Sequence, residues 1–249
     1  MQNFKIVPVM DILNSQVVHA IRGDRKNYQP MESSIVKTNK PIEFLLKIKE
    51  LIKINEFYIA DLDAIQDHTP NIEIIKKLIN KNDVNFMLDP GIRKKGDLIK
   101  YSNLGDFKLI FGLETINDYT LLREGIKFLG NKKMIVSVDL FNGKLLNKPK
   151  NFNADSVIDV VQFISDLGIE EIILLDLYRV GQKIGGIPPL YLEIRDNFDI
   201  KIFIGGGIKS LKDIKMHFQN KFNGVLIGTA LYDGTIPIEK LIKFINSNQ

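Results

Sequence analysis

PVMDILNSQVV (residues 8–18) and VSVDLFNGKLL (residues 136–146) repeat one pattern, and this repeat is the strongest indication of the fold. Each is an apolar, β-branched run followed by an aspartate, Asp11 in the first and Asp139 in the second. Such runs predict buried strands. If both are strands of one parallel barrel, Asp11 and Asp139 lie on opposite sides of its mouth, where two carboxyl groups can exchange protons with a bound molecule.

Strand-like and helix-like stretches alternate along the chain. Eight short runs have the composition of strands, namely FKIVPVM, EFYIA, VNFML, FKLIF, KMIVSV, EEIILL, KIFI and NGVLI. The stretches between them, such as PIEFLLKIKELIK and SVIDVVQFISDL, carry apolar residues at three- and four-residue spacing, which is typical of amphipathic helices. The pattern predicts an α/β protein with a single (β/α)8 TIM barrel domain over residues 1–249.

The second half of the chain repeats the first at a nearly fixed spacing. Pairs separated by 115 or 116 residues are Asp61 and Asp176, Gly91 and Gly207, and Gly112 and Gly228. This spacing predicts two fused half-barrels of four strands each. Asp11 and Asp139 are 128 residues apart, so the first half has about a dozen extra residues. We expect them in a long loop after the first strand, around residues 23–38, placed to act as a lid.

A doubly wound open sheet is the rival fold. Its nucleotide fingerprint is a Gly-x-Gly-x-x-Gly turn after the first strand, where this chain reads MDILNS. The glycine-rich turn follows the seventh strand instead, where barrels bind phosphate. The sequence therefore favours the barrel.

Composition narrows the function classes. The chain has no cysteine and three scattered histidines, which leaves no disulfide, no thiolate chemistry and no recognisable metal spacing. The start lacks the layout of a signal peptide, and no apolar run approaches the roughly 18 residues of a membrane helix. We therefore expect a cytoplasmic protein without membrane contact, as a monomer or small homo-oligomer. Only 6 of the 34 basic residues are arginine, and we expect no nucleic-acid partner.

Two glycine-bearing turns late in the chain predict a phosphate site. FIGGGIKSLKDI places Gly206 and Gly207 at the end of the seventh strand, before a helix whose first turn holds Ser210. LIGTALYDG places Gly228 and Thr229 at the start of another helix. Glycines let backbone N–H groups converge on an anion, and adjacent loops after strands seven and eight are the usual phosphate pocket of this architecture. Tight turns without a ligand are the alternative.

The equivalent turns of the first half are altered. They read Asp89-Pro90-Gly91 and Gly112-Leu113-Glu114. Proline removes a donor and two carboxylates repel an anion, although Arg93 remains as a cation. The first half is therefore predicted to hold a weak, lost or repurposed phosphate site.

Other polar residues are open to two interpretations. Asp61 and its symmetric partner Asp176 follow strands, and they contact substrate or bind loop amides. His68 is a substrate contact or an exposed loop histidine. Arg22 and Arg25 clamp an anion when the long loop closes, or remain in solvent. His19 and His217 are expected to be packing or surface residues.

The chain resembles the histidine-biosynthesis barrel family over essentially its whole length. The motifs that carry the resemblance are VPVMDILNSQVV, the RGD of residues 22–24, YIADLDAI, GIRK, VSVDLFNGK, FIGGGIKS and LIGTALYDG. RGD is closer to the isomerase branch than to the cyclase branch. The resemblance implies an Amadori rearrangement of a phosphoribosyl aminoaldose, with Asp11 and Asp139 as the base and acid and with no cofactor or metal. The residues themselves leave open which aspartate is the acid.

The chain departs from the isomerase pattern after the sixth strand. The resemblance leads us to expect a threonine and, five positions later, an aspartate, where this chain has Leu175 and Val180. The departure favours a divergent paralogue that acts on another sugar phosphate. A cyclase or lyase subunit supplied with ammonia by a glutaminase, and a non-catalytic phosphate-binding protein, are the remaining alternatives.

Overall fold

A computed structural model describes residues 4–81, 83–147 and 156–248. Its centre is a closed ring of eight parallel strands, in which each strand pairs with the next in chain order and the last pairs with the first. The strands are β1 Lys5–Leu13, β2 Glu56–Asp61, β3 Asn85–Asp89, β4 Lys108–Gly112, β5 Met134–Phe141, β6 Glu171–Asp176, β7 Lys201–Gly205 and β8 Gly224–Ile227. All eight predicted strands are present, and the predicted (β/α)8 TIM barrel is confirmed.

Helices surround this barrel. Within the described residues they are α1 Pro41–Ile52, α2 Leu62–Asp67, α3 Ile72–Ile79, α4 Lys95–Ser102, α5 Thr120–Leu129, α6 Val157–Asp166, α7 Pro189–Asn197, α8 Leu211–Gln219, α9 Thr229–Tyr232 and α10 Ile238–Asn246. Ser210 precedes α8 as its N-cap rather than lying in its first turn, because its hydroxyl accepts from the Asp213 N–H at 3.4 Å. No helix in these stretches combines the length and the apolar character that crossing a membrane requires.

Side chains alternate between two apolar layers along each strand. On β2, Phe57 and Ile59 pack outward against the helices, whereas Tyr58 and Ala60 point into the barrel. Because the period is two, every strand delivers an inward side chain to the carboxyl end of the barrel. This is how the fold places the aspartates that follow the apolar runs.

The two repeated stretches form hairpins that extend β1 and β5 beyond the ring. β1 turns at Asn14 and Ser15 into the antiparallel strand Gln16–His19, and β5 turns at Asn142 and Gly143 into Lys144–Leu145. All four turn residues have positive φ, as a two-residue hairpin turn of this kind requires. We did not predict these hairpins, although the Asn-Gly dipeptide is a recognised hairpin signal.

Candidate active site

Three aspartates line one cavity at the carboxyl end of the barrel. They are Asp11 on β1, Asp89 at the end of β3 and Asp139 on β5. In a ring of eight strands β1 and β5 are diametrically opposed, and β3 lies midway between them. The structure therefore brings together Asp11 and Asp139, the pair that the repeat predicted, and adds a third carboxyl group between them.

Asp139 is buried and held by two donors. The Ser137 hydroxyl donates to its Oδ1 at 2.6 Å, and the Glu114 backbone N–H donates to its Oδ2 at 2.9 Å. Burial, which disfavours the charged form, raises the pKa of Asp139 to about 8 in spite of the Ser137 hydrogen bond, and the charge of Asp89 adds to the increase. Near neutral pH this carboxyl group holds a proton.

Asp11 has a different environment. Its carboxylate accepts no hydrogen bond from residues 4–81, 83–147 or 156–248, and its side chain is partly accessible from the cavity. Burial raises the pKa of Asp11 to about 7, the positive charge of Arg25 opposes that increase, and Asp89 adds to it. Asp11 therefore combines a carboxylate that accepts no hydrogen bond within the described residues with a nearby cation that favours its ionised form.

The sequence pattern identifies Asp89 only as a residue that repels an anion. Its Oδ1 accepts the Gly91 N–H at 3.0 Å, and its Oδ2 accepts the Tyr58 hydroxyl at 3.3 Å. A Cβ built on Gly112 would lie 3.2 Å from Asp139 Oδ2 and 3.6 Å from Asp89 Oδ2, so the two carboxyl groups flank the same glycine. Burial raises the pKa of Asp89 to about 6. Its position at the inward end of a predicted strand was the available signal.

The long loop after β1 reaches the cavity and is fastened there. Arg25 donates to both carboxylate oxygens of Glu114, at 2.7 and 2.6 Å. Tyr28 and Met31 from the same loop line the cavity. Arg22 is exposed outside it, with its guanidinium 5.6 Å from the Tyr178 ring centroid. The loop thus covers part of the mouth, and Arg25 rather than Arg22 is its cation at the site.

The glycines that were predicted to bind phosphate line the side of the cavity that lies across the ring from β3 and β4. We call this lining, formed by Gly206, Gly207, Gly228 and Thr229, the glycine side. Gly206 and Gly207 have φ values of 87° and 85°. A Cβ on Gly206 would lie 2.7 Å from the Asp176 carbonyl oxygen, and one on Gly207 would lie 2.9 Å from Arg179 Nε. Both positions therefore require glycine. Gly228 and Thr229 from the loop after β8 line the same side.

His19 belongs to this glycine side. Its Nε2 lies 2.9 Å from the Thr229 hydroxyl, and its ring lines the cavity. The expectation that His19 is a packing or surface residue was therefore wrong, because the hairpin after β1 folds its side chain over the mouth. His217 is buried beside Phe222, as expected of a packing residue.

Asp61 and Asp176 accept hydrogen bonds from loop residues and do not line the cavity. Asp61 accepts from the backbone N–H and the side-chain amide of Asn71, each at 2.8 Å, and from the Ala64 N–H at 3.3 Å. Asp176 accepts from the N–H groups of Asn142 and Gly143 at 2.9 and 3.0 Å. Each buried carboxylate holds loop backbone at the carboxyl end of the barrel, the arrangement expected for a loop-binding role.

Replacement of Asp61 by alanine is expected to lower the free energy of unfolding by about 2–3 kcal/mol, because the buried Ala64 N–H and the partly buried donors of Asn71 lose their acceptor. Urea unfolding followed by circular dichroism measures this change. Asp67→Ala, at the exposed last residue of α2, is the control. Its free energy of unfolding should stay within about 0.5 kcal/mol of the wild-type value. A phosphate-ester affinity that falls without any loss of stability would instead assign Asp61 to the substrate.

Two further predicted substrate contacts lie outside the cavity lining. His68 is exposed at the end of α2. Arg93 donates to the carbonyl oxygens of Ala64, Ile65 and Gly91, so its guanidinium holds the end of α2. Among the residues that the structure describes, no three His, Cys, Asp or Glu side chains are grouped to hold a metal ion.

The comparison with known proteins agrees with this arrangement. The sequence profile of the family described as histidine biosynthesis protein matches residues 5–237. The chain belongs to this family. The resemblance carried by the strand-end aspartates and the glycine turns is therefore confirmed, and the cavity lies in a histidine biosynthesis family barrel.

Some relatives of this chain are named for an enzymatic activity, and one is uncharacterised. An uncharacterised protein of Methanocaldococcus jannaschii is 33% identical over 240 residues, which are 96% of this chain and 97% of the relative. A Pelagibacter ubique protein is 29% identical over 98% of this chain and 100% of its own length, and a Clostridium botulinum protein is 28% identical over 97% of both. The latter two are named 1-(5-phosphoribosyl)-5-((5-phosphoribosylamino)methylideneamino) imidazole-4-carboxamide isomerase.

Proposed function

We propose that this protein is a cofactor-independent aldose–ketose isomerase that converts a phosphoribosyl aminoaldose into the aminoketose. The observation that carries the proposal is the placement of Asp11 and Asp139 on opposed strands of one cavity, beside the glycine turns of β7 and β8. Relatives named as an isomerase of a phosphoribosyl compound support the reaction class. Proton transfer by two carboxyl groups needs no metal or organic cofactor.

Asp139 is the general acid of the proposed reaction. Its raised pKa keeps the carboxyl group protonated near neutral pH, and the Ser137 and Glu114 contacts fix its orientation. It donates its proton to the ribose ring oxygen, the bond from that oxygen to C1 breaks, and the nitrogen on C1 supplies the electron pair that forms the imine. The open chain is then available for the second step.

Asp11 is the general base. It is the cavity aspartate whose carboxylate accepts no hydrogen bond within the described residues, so its lone pairs are available to a substrate proton. It removes the proton from C2, and the electron pair forms the enaminol, which becomes the ketone when C1 takes up a proton. The net change is a transfer of hydrogen within one molecule, without an oxidant or a reductant.

A non-catalytic phosphate-binding protein is the second candidate. Leu175 and Val180 line the cavity where the isomerase resemblance leads us to expect a threonine and an aspartate. Apolar side chains there remove two polar contacts to a substrate while the glycine side keeps its shape. Phosphate-ester binding without turnover is what this candidate requires.

The test is an aminoaldose made from ribose 5-phosphate and a simple amine, with deuterium at C2. We expect NMR to show the aminoketose, with deuterium released into water. Binding without conversion would leave the phosphate-binding candidate in its place.

Growth rescue of a cell that lacks the histidine-pathway isomerase separates two substrates. Rescue assigns the chain to histidine synthesis, and conversion without rescue assigns it to another sugar phosphate, which is the outcome that the altered first half leads us to expect. We place such an enzyme in the cytoplasm, where phosphorylated sugars are made.

A further inference from the structure

The first half of the barrel has turns equivalent to those of the glycine side, where a second phosphate site would lie. The backbone N–H groups of these turns already donate to carboxylates of the protein. The Gly91 N–H is bound by Asp89, and the Glu114 N–H is bound by Asp139. Both donors lie in loops that correspond by the repeat to those at the glycine side. A phosphate entering here would have to displace two buried carboxyl groups from their hydrogen bonds.

The equivalent amides of the second half are not occupied in this way. Gly207 and Ala230 lie 116 residues after Gly91 and Glu114. Among the described residues no carboxylate accepts from the Gly207 or Ala230 N–H, and Asp11, which has the position equivalent to Asp139, accepts no hydrogen bond. One half of the repeat has therefore filled its anion-binding turns with protein carboxylates, and the other half has left them to a ligand.

The two arginines near the first-half turns, Arg25 and Arg93, are also bound to other protein groups. Arg25 makes two contacts with Glu114, and both side chains are less than 30% exposed, at 19% and 27%. Arg93 is turned away to carbonyl oxygens of α2 and of Gly91. Within residues 4–81, 83–147 and 156–248, both arginines near this end are thus bound to protein oxygens, and a phosphate here would meet the charges of Asp89 and Glu114.

We propose that the cavity takes a ligand with a single phosphate, bound at the glycine side, whose opposite end presents hydroxyl or ammonium donors to Asp89 and Glu114. The same cavity is the proposed isomerase site, so the proposal rests on the function proposed above. Carboxylates are acceptors when ionised, so hydrogen-bond donors and positive charge match this end, whereas a second phosphate does not. The substrate class is thereby a monophosphorylated amino or polyhydroxy sugar rather than a bisphosphate.

Isothermal titration of the whole protein with ribose 5-phosphate and with ribose 1,5-bisphosphate tests the proposal. We expect one ribose 5-phosphate per chain, and a bisphosphate affinity at least about tenfold weaker because of the like charges. Inorganic phosphate should also saturate at one per chain. A tighter bisphosphate complex, two bound phosphates per chain, or no binding of ribose 5-phosphate would each overturn the proposal.

A charge-removing variant provides the matched comparison. In Glu114→Ala the guanidinium of Arg25 is released and one carboxylate is lost, so bisphosphate affinity should rise at least about tenfold. Glu114→Gln keeps the side-chain shape and should change affinity in the same direction, which covers the case in which the alanine variant fails to fold. Glu193→Ala, at an exposed residue of α7, should leave both affinities unchanged.

An unchanged bisphosphate affinity in both folded Glu114 variants would also contradict the proposal. Binding is measured without turnover, so these outcomes are separate from a failure of the isomerase function. That function is tested by the C2 deuterium assay and by the aspartate variants.

Discussion

Asp139→Asn and Asp11→Asn are each expected to lower turnover of the aminoaldose by about 10³-fold, the loss typical when a positioned acid or base is removed. Asparagine has the size of aspartate, and at position 139 its amide oxygen can accept the Glu114 N–H while its amide N–H donates to the Ser137 hydroxyl oxygen. What is lost is the exchangeable carboxyl proton. Initial rates from the C2 deuterium assay measure the change.

The control for these variants separates chemistry from binding. Ribose 5-phosphate affinity should persist in both, because the glycine side of the cavity is unaltered. Asp67→Asn removes a carboxylate from an exposed position at the end of α2 and should retain full turnover. Wild-type rates in either Asp11→Asn or Asp139→Asn would rule out the two-aspartate mechanism.

The second large effect is a narrow pH optimum. Asp11 has to be ionised to accept a proton, so turnover should rise with pH through about 7, its pKa in the folded protein. Asp139 has to be protonated to donate, so turnover should fall as pH rises above about 8. Outside this window the rate should drop about tenfold for each pH unit, which a profile of kcat/KM from pH 5 to 10 would measure.

Asp89 sets the position of this window. Its negative charge raises the pKa of both Asp139 and Asp11, in addition to the larger effect of burial. In Asp89→Asn that charge is absent, so both limbs of the profile should move to lower pH, by about half a unit. Asp106→Asn, whose side chain is 88% exposed in an ion pair with Lys133, should leave the profile unchanged. Movement of the limbs to higher pH in Asp89→Asn would contradict this role.

Local pattern was sufficient for the fold and for the opposed aspartate pair. The alternation of apolar runs and amphipathic stretches predicted eight strands, and the half-to-half repeat placed Asp11 and Asp139 on opposed strands. Strand period alone then points both side chains inward. The glycine turn at Gly206 and Gly207 was also readable, since a turn that needs positive φ favours glycine.

What the sequence left open depends on contacts between distant segments. Arg25 and Glu114 are 89 residues apart, and Tyr58 and Asp89 are 31 apart, so no local pattern indicates that they meet. The sequence indicates that Arg93 is a cation available to a ligand, but in the structure its guanidinium donates to three carbonyl oxygens. The sequence gives the charge of a residue, whereas its hydrogen-bond and ion-pair partners depend on the tertiary fold.

The barrel, the opposed aspartates and the glycine turns follow from period, composition and repetition along the chain. Three features emerge only from the folded chain: Asp89 joins the two aspartates, His19 lies over the glycine side, and carboxylates bind the first-half amides. The physical reason is that pKa values and hydrogen-bond occupancy depend on burial and on neighbours in space, which the closed barrel supplies.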